Sequence, residues 1–285
     1  MNAHTVRSEW VLVNGIRTHY TQAGDSGPAV VLCHGGGPGS SGGGAFRLLI
    51  PVLAKHFRVY APDQLAYGLT DTRPHAWPVK AHESLVEHIA GFIDALCLDE
   101  VMMLGQSQGA YVAAKYALDH PEKVKKLFLV ASGTISNAMK LPMPITDALR
   151  TLNAFNGTAP AMRAFLEGII SNKESITDDL VQSRLSMATR PGAAESRDAF
   201  EKARQRMNAD PNLFQRFDLR GRLPYLTIPT KFIWGNQDTF APVSLGHELE
   251  KVLPNISFTY IDNSGHQVQT DQPDIVSRIV IEHFS

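Results

Sequence analysis

The stretch Met102-Met103-Leu104-Gly105-Gln106-Ser107-Gln108-Gly109-Ala110-Tyr111 decides how the rest of this chain is read. Val101 to Leu104 is an apolar run of strand length, and Ala110 to Leu118 has the composition of a helix. Between them, Gly-x-Ser-x-Gly spans a turn so tight that its serine is forced into a strained backbone conformation, which lifts the hydroxyl clear of the strand. Glycine is required on either side, because a side chain at Gly105 or Gly109 would strike the neighbouring strand and helix. The pattern alone turns up by chance in roughly one chain in ten of this length. Its placement between strand and helix gives it weight.

Outward from this turn, strands and helices alternate. Trp10 to Asn14 and Ile16 to Thr21 read as a hairpin about Asn14-Gly15. Ala29 to Cys33 is a fully apolar strand that ends at His34-Gly35-Gly36-Gly37-Pro38-Gly39, with a helix expected from Ala45 to His56. A strand at Arg58 to Asp63 follows, then a helix within Val79 to Leu98 marked by Leu85, Ile89, Ile93 and Leu96. Past the central turn come a helix stopped by Pro121 and a strand at Lys126 to Ala131. Residues 134–222 lose this rhythm: they carry helical patterns, several prolines and five methionines, and read as an inserted helical cap. The rhythm returns with a strand at Thr230 to Trp234, a helix near Val243 to Leu253, a strand at Ser257 to Ile261 and a helix at Pro273 to Phe284. The fold class is therefore α/β. A mostly parallel eight-stranded sheet with helices on both faces is built from residues 1–133 and 223–285, with 134–222 inserted.

Composition narrows the function classes. Lys+Arg is 27 against Asp+Glu 28, so no basic surface suited to nucleic acid or an anionic membrane is expected. Met1 to Trp10 lacks the apolar core of a signal peptide, and no run of about 18 apolar residues exists, so a cytoplasmic protein is expected. Cys33 and Cys97 lie in apolar runs and are expected to be buried thiols. His82-Glu83 and Glu87-His88 read as a solvated helix face, not a metal site. A homodimer or higher homo-oligomer is left open.

In sheets of this kind, ligands sit beyond the carboxyl ends of the strands. The residues there are the glycine-rich loop, Ser107, Asp238 after Trp234-Gly235, and His266 after Asn263-Ser264-Gly265. A serine hydroxyl needs a histidine to take its proton, and the histidine needs a carboxylate to fix its tautomer and stabilise its charged form. Ala131-Ser132 offer no acid, which leaves Asp238. An oxyanion would be held by the backbone amides of Gln108 and the Gly36 region.

The order nucleophile, acid, histidine resembles the α/β-hydrolases along the whole chain. Within them, His34-Gly-Gly-Gly-Pro-Gly39 and Trp234-Gly-Asn-Gln-Asp238-Thr-Phe240-Ala-Pro242 resemble the meta-cleavage product hydrolases, which break carbon–carbon bonds in ring-opened aromatics. Leu180-Val-Gln-Ser-Arg184 is similar to the segment carrying that family's carboxylate-binding arginine. The resemblance implies a small-molecule 2-hydroxy-6-oxo-dienoate substrate, a binding role for Arg184 and for Phe240 and Gln267 in the pocket wall, and no metal or organic cofactor. Three positions depart from the pattern: Gln267 stands where the family usually has Trp, Ala45 where it has Asn and Gln108 where it has Met. A carboxylesterase or lactonase with the same triad is the alternative. A cofactor-free oxygenase or a small-molecule receptor of this fold is the reading from a different class.

Overall fold

The protein is described by a computed structural model covering residues 5–285; residues 1–4, which belong to the stretch read as carrying no signal peptide, lie outside it. Eight strands form one sheet: β1 (Arg7–Val13), β2 (Ile16–Ala23), β3 (Ala29–Cys33), β4 (Arg58–Pro62), β5 (Val101–Gln106), β6 (Val124–Val130), β7 (Thr230–Gly235) and β8 (Ser257–Ile261). Their order is β1-β2-β4-β3-β5-β6-β7-β8, with the β1–β2 and β2–β4 pairs antiparallel and the other pairs parallel. Asn14 and Gly15 turn the hairpin with both φ positive, at 49° and 84°, the geometry that matches strand twist. β3 and β5 are buried at every position, as strands covered on both faces must be. The strand order reverses between β3 and β5, which makes the space beyond their carboxyl ends the switch-point crevice.

The helices between the strands are α1 (Gly42–Ala45), α2 (Ile50–Leu53), α3 (His82–Ala95) and α4 (Gln108–Asp119). The helix expected from Ala45 to His56 is two short ones. Ser41 caps a turn made of Gly42 to Gly44, the chain bends at Phe46–Leu49, and Pro51 opens the second helix where a missing N–H costs nothing. On α3, His82 and His88 are 4% and 3% exposed, so the solvated-face reading fails for both. His82 packs against Tyr111, Phe200 and Phe217, and the ring of His88 bonds the Thr18 hydroxyl at 2.8 Å. Cys33 is buried as expected. Cys97 is exposed, because the chain leaves α3 there through a turn with φ of 51°.

Between β6 and β7 the described chain is helical: α5 (Gly133–Ala138), α6 (Asp147–Asn153), α7 (Ala159–Ile169), α8 (Asp178–Ala188), α9 (Ala193–Ala209) and α10 (Pro211–Phe217). Thr146, Thr158 and Thr177 cap the starts of α6, α7 and α8 by accepting a backbone N–H, each such cap being worth about 1 kcal/mol. This segment divides. Met162, Phe165, Leu166, Ile169 and Val181 form a satellite cluster, whereas Phe200, Ala203, Met207 and Phe217 join the main core. After it come α11 (Val243–Val252), α12 (Val268–Asp271) and α13 (Pro273–Phe284).

Candidate active site

Ser107 forms the turn between β5 and α4, with φ 56° and ψ −120°. The strain is held from both sides. Its N–H donates to the Val130 carbonyl at 2.8 Å, and its own carbonyl accepts the Ser132 hydroxyl at 2.6 Å. Steric contact enforces the flanking glycines. A Cβ on Gly105 would lie 2.3 Å from the Gly109 carbonyl oxygen, and one on Gly109 would lie 2.0 Å from the Cys33 carbonyl oxygen.

The loops after β7 and β8 bring the other two residues in. His266 Nε2 lies 2.9 Å from Ser107 Oγ, and His266 Nδ1 lies 2.8 Å from Asp238 Oδ2. Asp238 Oδ1 accepts the N–H groups of Phe240 and Ala241 at 2.9 and 2.8 Å, so both carboxylate oxygens are satisfied away from water. Asp238 and His266 are 5% and 4% exposed. With Nδ1–H donated to the carboxylate, Nε2 presents its lone pair to the serine hydroxyl. Such a chain can move a proton off Ser107 and return it.

Asp271 fixes the histidine loop. Its carboxylate accepts the N–H groups of Gly265, Ser171 and Asn172 at 2.7, 3.1 and 2.8 Å, and the Gln267 N–H donates to the Ile169 carbonyl at 2.9 Å. The loop is thereby tied to the chain leaving α7. On the opposite side, His34 orders the glycine-rich loop: its Nδ1–H donates to the Gly35 carbonyl and its Nε2 accepts the Gln64 N–H. Burial holds this imidazole below its usual pKa, in the neutral form those bonds require. The N–H groups of Gly36 and Gln108 donate to no other group among the described residues. Gln108 N–H opens α4, where the helix dipole favours negative charge.

These groups face one cavity of about 650 Å³. Phe165, Ile169 and Phe240 supply an apolar side, and the Phe240 ring sits 4.7 Å from the His266 ring. Gln267 lines the cavity with its side-chain oxygen held by the Thr270 hydroxyl at 3.1 Å. The expectation that Arg184 is free to pair with a substrate carboxylate is not met. Its Nε and Nη2 donate to the Pro38 carbonyl at 3.2 and 2.9 Å, Nη2 also reaches the Ser40 hydroxyl at 2.9 Å, and the residue is not part of the cavity wall. Buried beside Gly37 and Phe165, it braces the loop that carries Gly36.

Sequence reasoning missed a set of polar residues in the lining. Arg197, Glu201, Arg204 and Asn208 of α9 line the cavity together with Tyr67. Their spacing of four, three and four residues puts them on one helix face, next to the buried stripe of Ser196, Phe200, Ala203 and Met207. That period was readable, but which face met a cavity was not.

Comparison with known proteins agrees with this fold. The sequence profile described as alpha/beta hydrolase fold matches residues 28–273. A 2-hydroxy-6-oxononadienedioate/2-hydroxy-6-oxononatrienedioate hydrolase of Paraburkholderia xenovorans is 30% identical over 95% of this chain and 91% of its own length. A 2-hydroxy-6-oxo-2,4-heptadienoate hydrolase of Pseudomonas putida is 30% identical over 95% of this chain and 94% of its own. A solved variant of the meta-cleavage product hydrolase CumD from Pseudomonas fluorescens is 27% identical, covers 97% of both chains and superposes with a TM-score of 0.81. No helix among the described residues is long and apolar enough to cross a membrane. The chain belongs to the α/β-hydrolase family, is a hydrolase, and is similar over nearly its whole length to hydrolases of the meta-cleavage product type.

Proposed function

We propose that this hydrolase cleaves the C5–C6 bond of a 2-hydroxy-6-oxo-dienoate, with Ser107 as nucleophile, His266 as general acid and base, and Asp238 as its orienting acid. The observation that carries the reading is the hydrogen-bonded chain from Ser107 through His266 to the buried Asp238 at the wall of the cavity. It occurs in a chain similar over nine-tenths of its length to dienoate and dienedioate hydrolases.

The chemistry divides into three steps. The dienol first ketonises, its 2-hydroxyl losing a proton and C5 gaining one, which makes C5 a saturated carbon between the C6 ketone and the C3–C4 double bond conjugated to the 2-oxo group. Ser107 Oγ then attacks C6 while His266 Nε2 takes its proton, and the C6 oxyanion falls to the amides of Gly36 and Gln108. The tetrahedral species collapses by breaking C5–C6. The electron pair moves through the unsaturated chain to the 2-oxygen, and His266 returns the proton, releasing a 2-hydroxypentadienoate. Water, deprotonated by His266, then frees the second carboxylic acid from Ser107. Residues 134–222 act as the cap that keeps bulk water from the cavity, with Phe240 and Gln267 in its wall. No step calls for a metal or organic cofactor.

Ester or lactone hydrolysis is the second reading, favoured by the polar Gln108 and Gln267 at positions where the resemblance calls for Met and Trp. The deciding experiment sets a yellow 2-hydroxy-6-oxo-hexadienoate beside a p-nitrophenyl ester, with wild type and Ser107→Ala. A much higher kcat/KM on the dienoate is expected, lost in the variant. Ester turnover with the dienoate untouched overturns the carbon–carbon reading. Failure of a fluorophosphonate to label Ser107 would point to a receptor, and oxygen uptake with substrate to an oxygenase.

A further inference from the structure

Arg197 is a cation of the cavity wall with no partner among the described residues. It lines the wall on α9, its Nε is buried without a partner, and it makes no hydrogen bond or ion pair among the described residues. Its guanidinium lies 5.5 Å from the Phe155 ring centre, and the Tyr67 phenol lines the same cavity. The acid one turn on, Glu201, would ordinarily pair with it at this spacing. Glu201 is already taken: its two oxygens accept Arg204 Nε at 2.8 Å and Nη2 at 2.7 Å, and Gln205 Nε2 at 3.0 Å. The adjacent Asp198 pairs outward with Lys202 at 2.7 Å. The Nε–H is thus withdrawn from water with nothing to accept it, and an arginine cannot escape by losing its proton.

Gln108 points the same way. Its side-chain Nε2 is also buried without a partner, and its amide group, the Tyr67 hydroxyl and the Gly36 α-carbon converge beside Ser107. The cavity lining therefore includes Gln108, Tyr67 and Arg197 as polar groups beside the apolar side chains of Phe165, Ile169 and Phe240. Arg184, the arginine that the resemblance implies, spends its Nε and Nη2 on Pro38 and Ser40.

We infer that Arg197 is the anion receptor of this cavity and that the substrate presents a carboxylate to it, with the Gln108 side-chain amide donating to a polar group nearer Ser107. The inference rests on the hydrolase site above and deepens it: it assigns a specificity-determining residue and requires an acidic substrate. A carboxylate there completes the fork of Arg197 with two charge-assisted hydrogen bonds.

The test uses inhibition, so that it is independent of which bond the enzyme cleaves. Adipate and its uncharged diamide are compared as inhibitors of p-nitrophenyl acetate hydrolysis in wild type, Arg197→Gln and Arg197→Lys. The readout is the ratio of the two inhibition constants, which does not depend on how much total activity a variant retains. Wild type should favour adipate by about 10- to 100-fold, the range expected for hydrogen bonds to a charged group. Arg197→Gln should bring the ratio close to one, and Arg197→Lys should restore part of it. Equal inhibition by the two compounds in wild type, or a ratio unchanged in Arg197→Gln, overturns the inference. Failure of the carbon–carbon reading shows separately, as an untouched dienoate in an enzyme that still prefers adipate.

Discussion

Gly109→Ala isolates the contact on which the site geometry rests. Gly109 has no positive φ, so backbone strain plays no part. In an open helix the substitution would stabilise by about 1 kcal/mol through propensity. Here the new Cβ would stand 2.0 Å from the Cys33 carbonyl oxygen and 2.5 Å from that of His34, both of them backbone atoms. Ordinary contact begins at 3.4 Å, so 3.4 − 2.0 = 1.4 Å must be found by moving the end of β3 away from α4. Overpacking of this kind costs about 1–3 kcal/mol, which leaves a net loss of up to about 2 kcal/mol after the propensity gain. At about 2 cal/mol/K per residue for 285 residues, that is a fall in Tm of up to roughly 4 °C. Activity suffers more, because the moved segment leads into the loop bearing Gly36. A displacement near 1 Å costs about 100-fold in rate. Calorimetry and ester hydrolysis on the variant provide the assay, with Gly221→Ala as control, since a Cβ there meets nothing within 4 Å. Activity within threefold of wild type and an unchanged Tm would refute the argument.

Other predictions follow from single residues. Asp271→Ala strands three N–H groups on the histidine loop and the end of α7, so kcat should fall about 10- to 100-fold while Ser107 remains present; steady-state kinetics on a p-nitrophenyl ester check this. A thiol reagent should modify one cysteine, Cys97, in the native protein and two after denaturation, because burial pushes the Cys33 thiol up to about 12. Burial lowers His82 to about 3 and His88 to about 4 from 6.5, so the unfolded chain binds these protons first. The stability that they contribute is complete above about pH 6.5 and is lost as pH falls through that window. His82→Phe should flatten the decline of Tm over this range, measured by a thermal scan at several pH values.

Much of the fold was legible because local rules and global packing agree. The start of β3 follows from an apolar run that succeeds Gly27-Pro28, and the start of α13 from Pro273 in its first turn. The elbow was legible for a stronger reason: only glycine fits at Gly105 and Gly109, so the sequence records the contact. What escaped were features decided across distant parts of the chain. Periodicity assigns α3 an apolar face but does not reveal that Phe200 and Phe217 cover His82, more than a hundred residues away. Arg184 and Arg197 are both cap arginines in sequence. One is spent on the Pro38 carbonyl and the other is left unpaired because Arg204 captures Glu201, a competition that no local pattern encodes.

Product analysis of a 2-hydroxy-6-oxo-hexadienoate turned over by wild type and by Ser107→Ala tests the central claim most directly. The account predicts a 2-hydroxypentadienoate and the matching carboxylic acid in equal amounts from wild type, and neither from the variant. An intact dienoate in the presence of active ester hydrolysis, or equal product from Ser107→Ala, would contradict it.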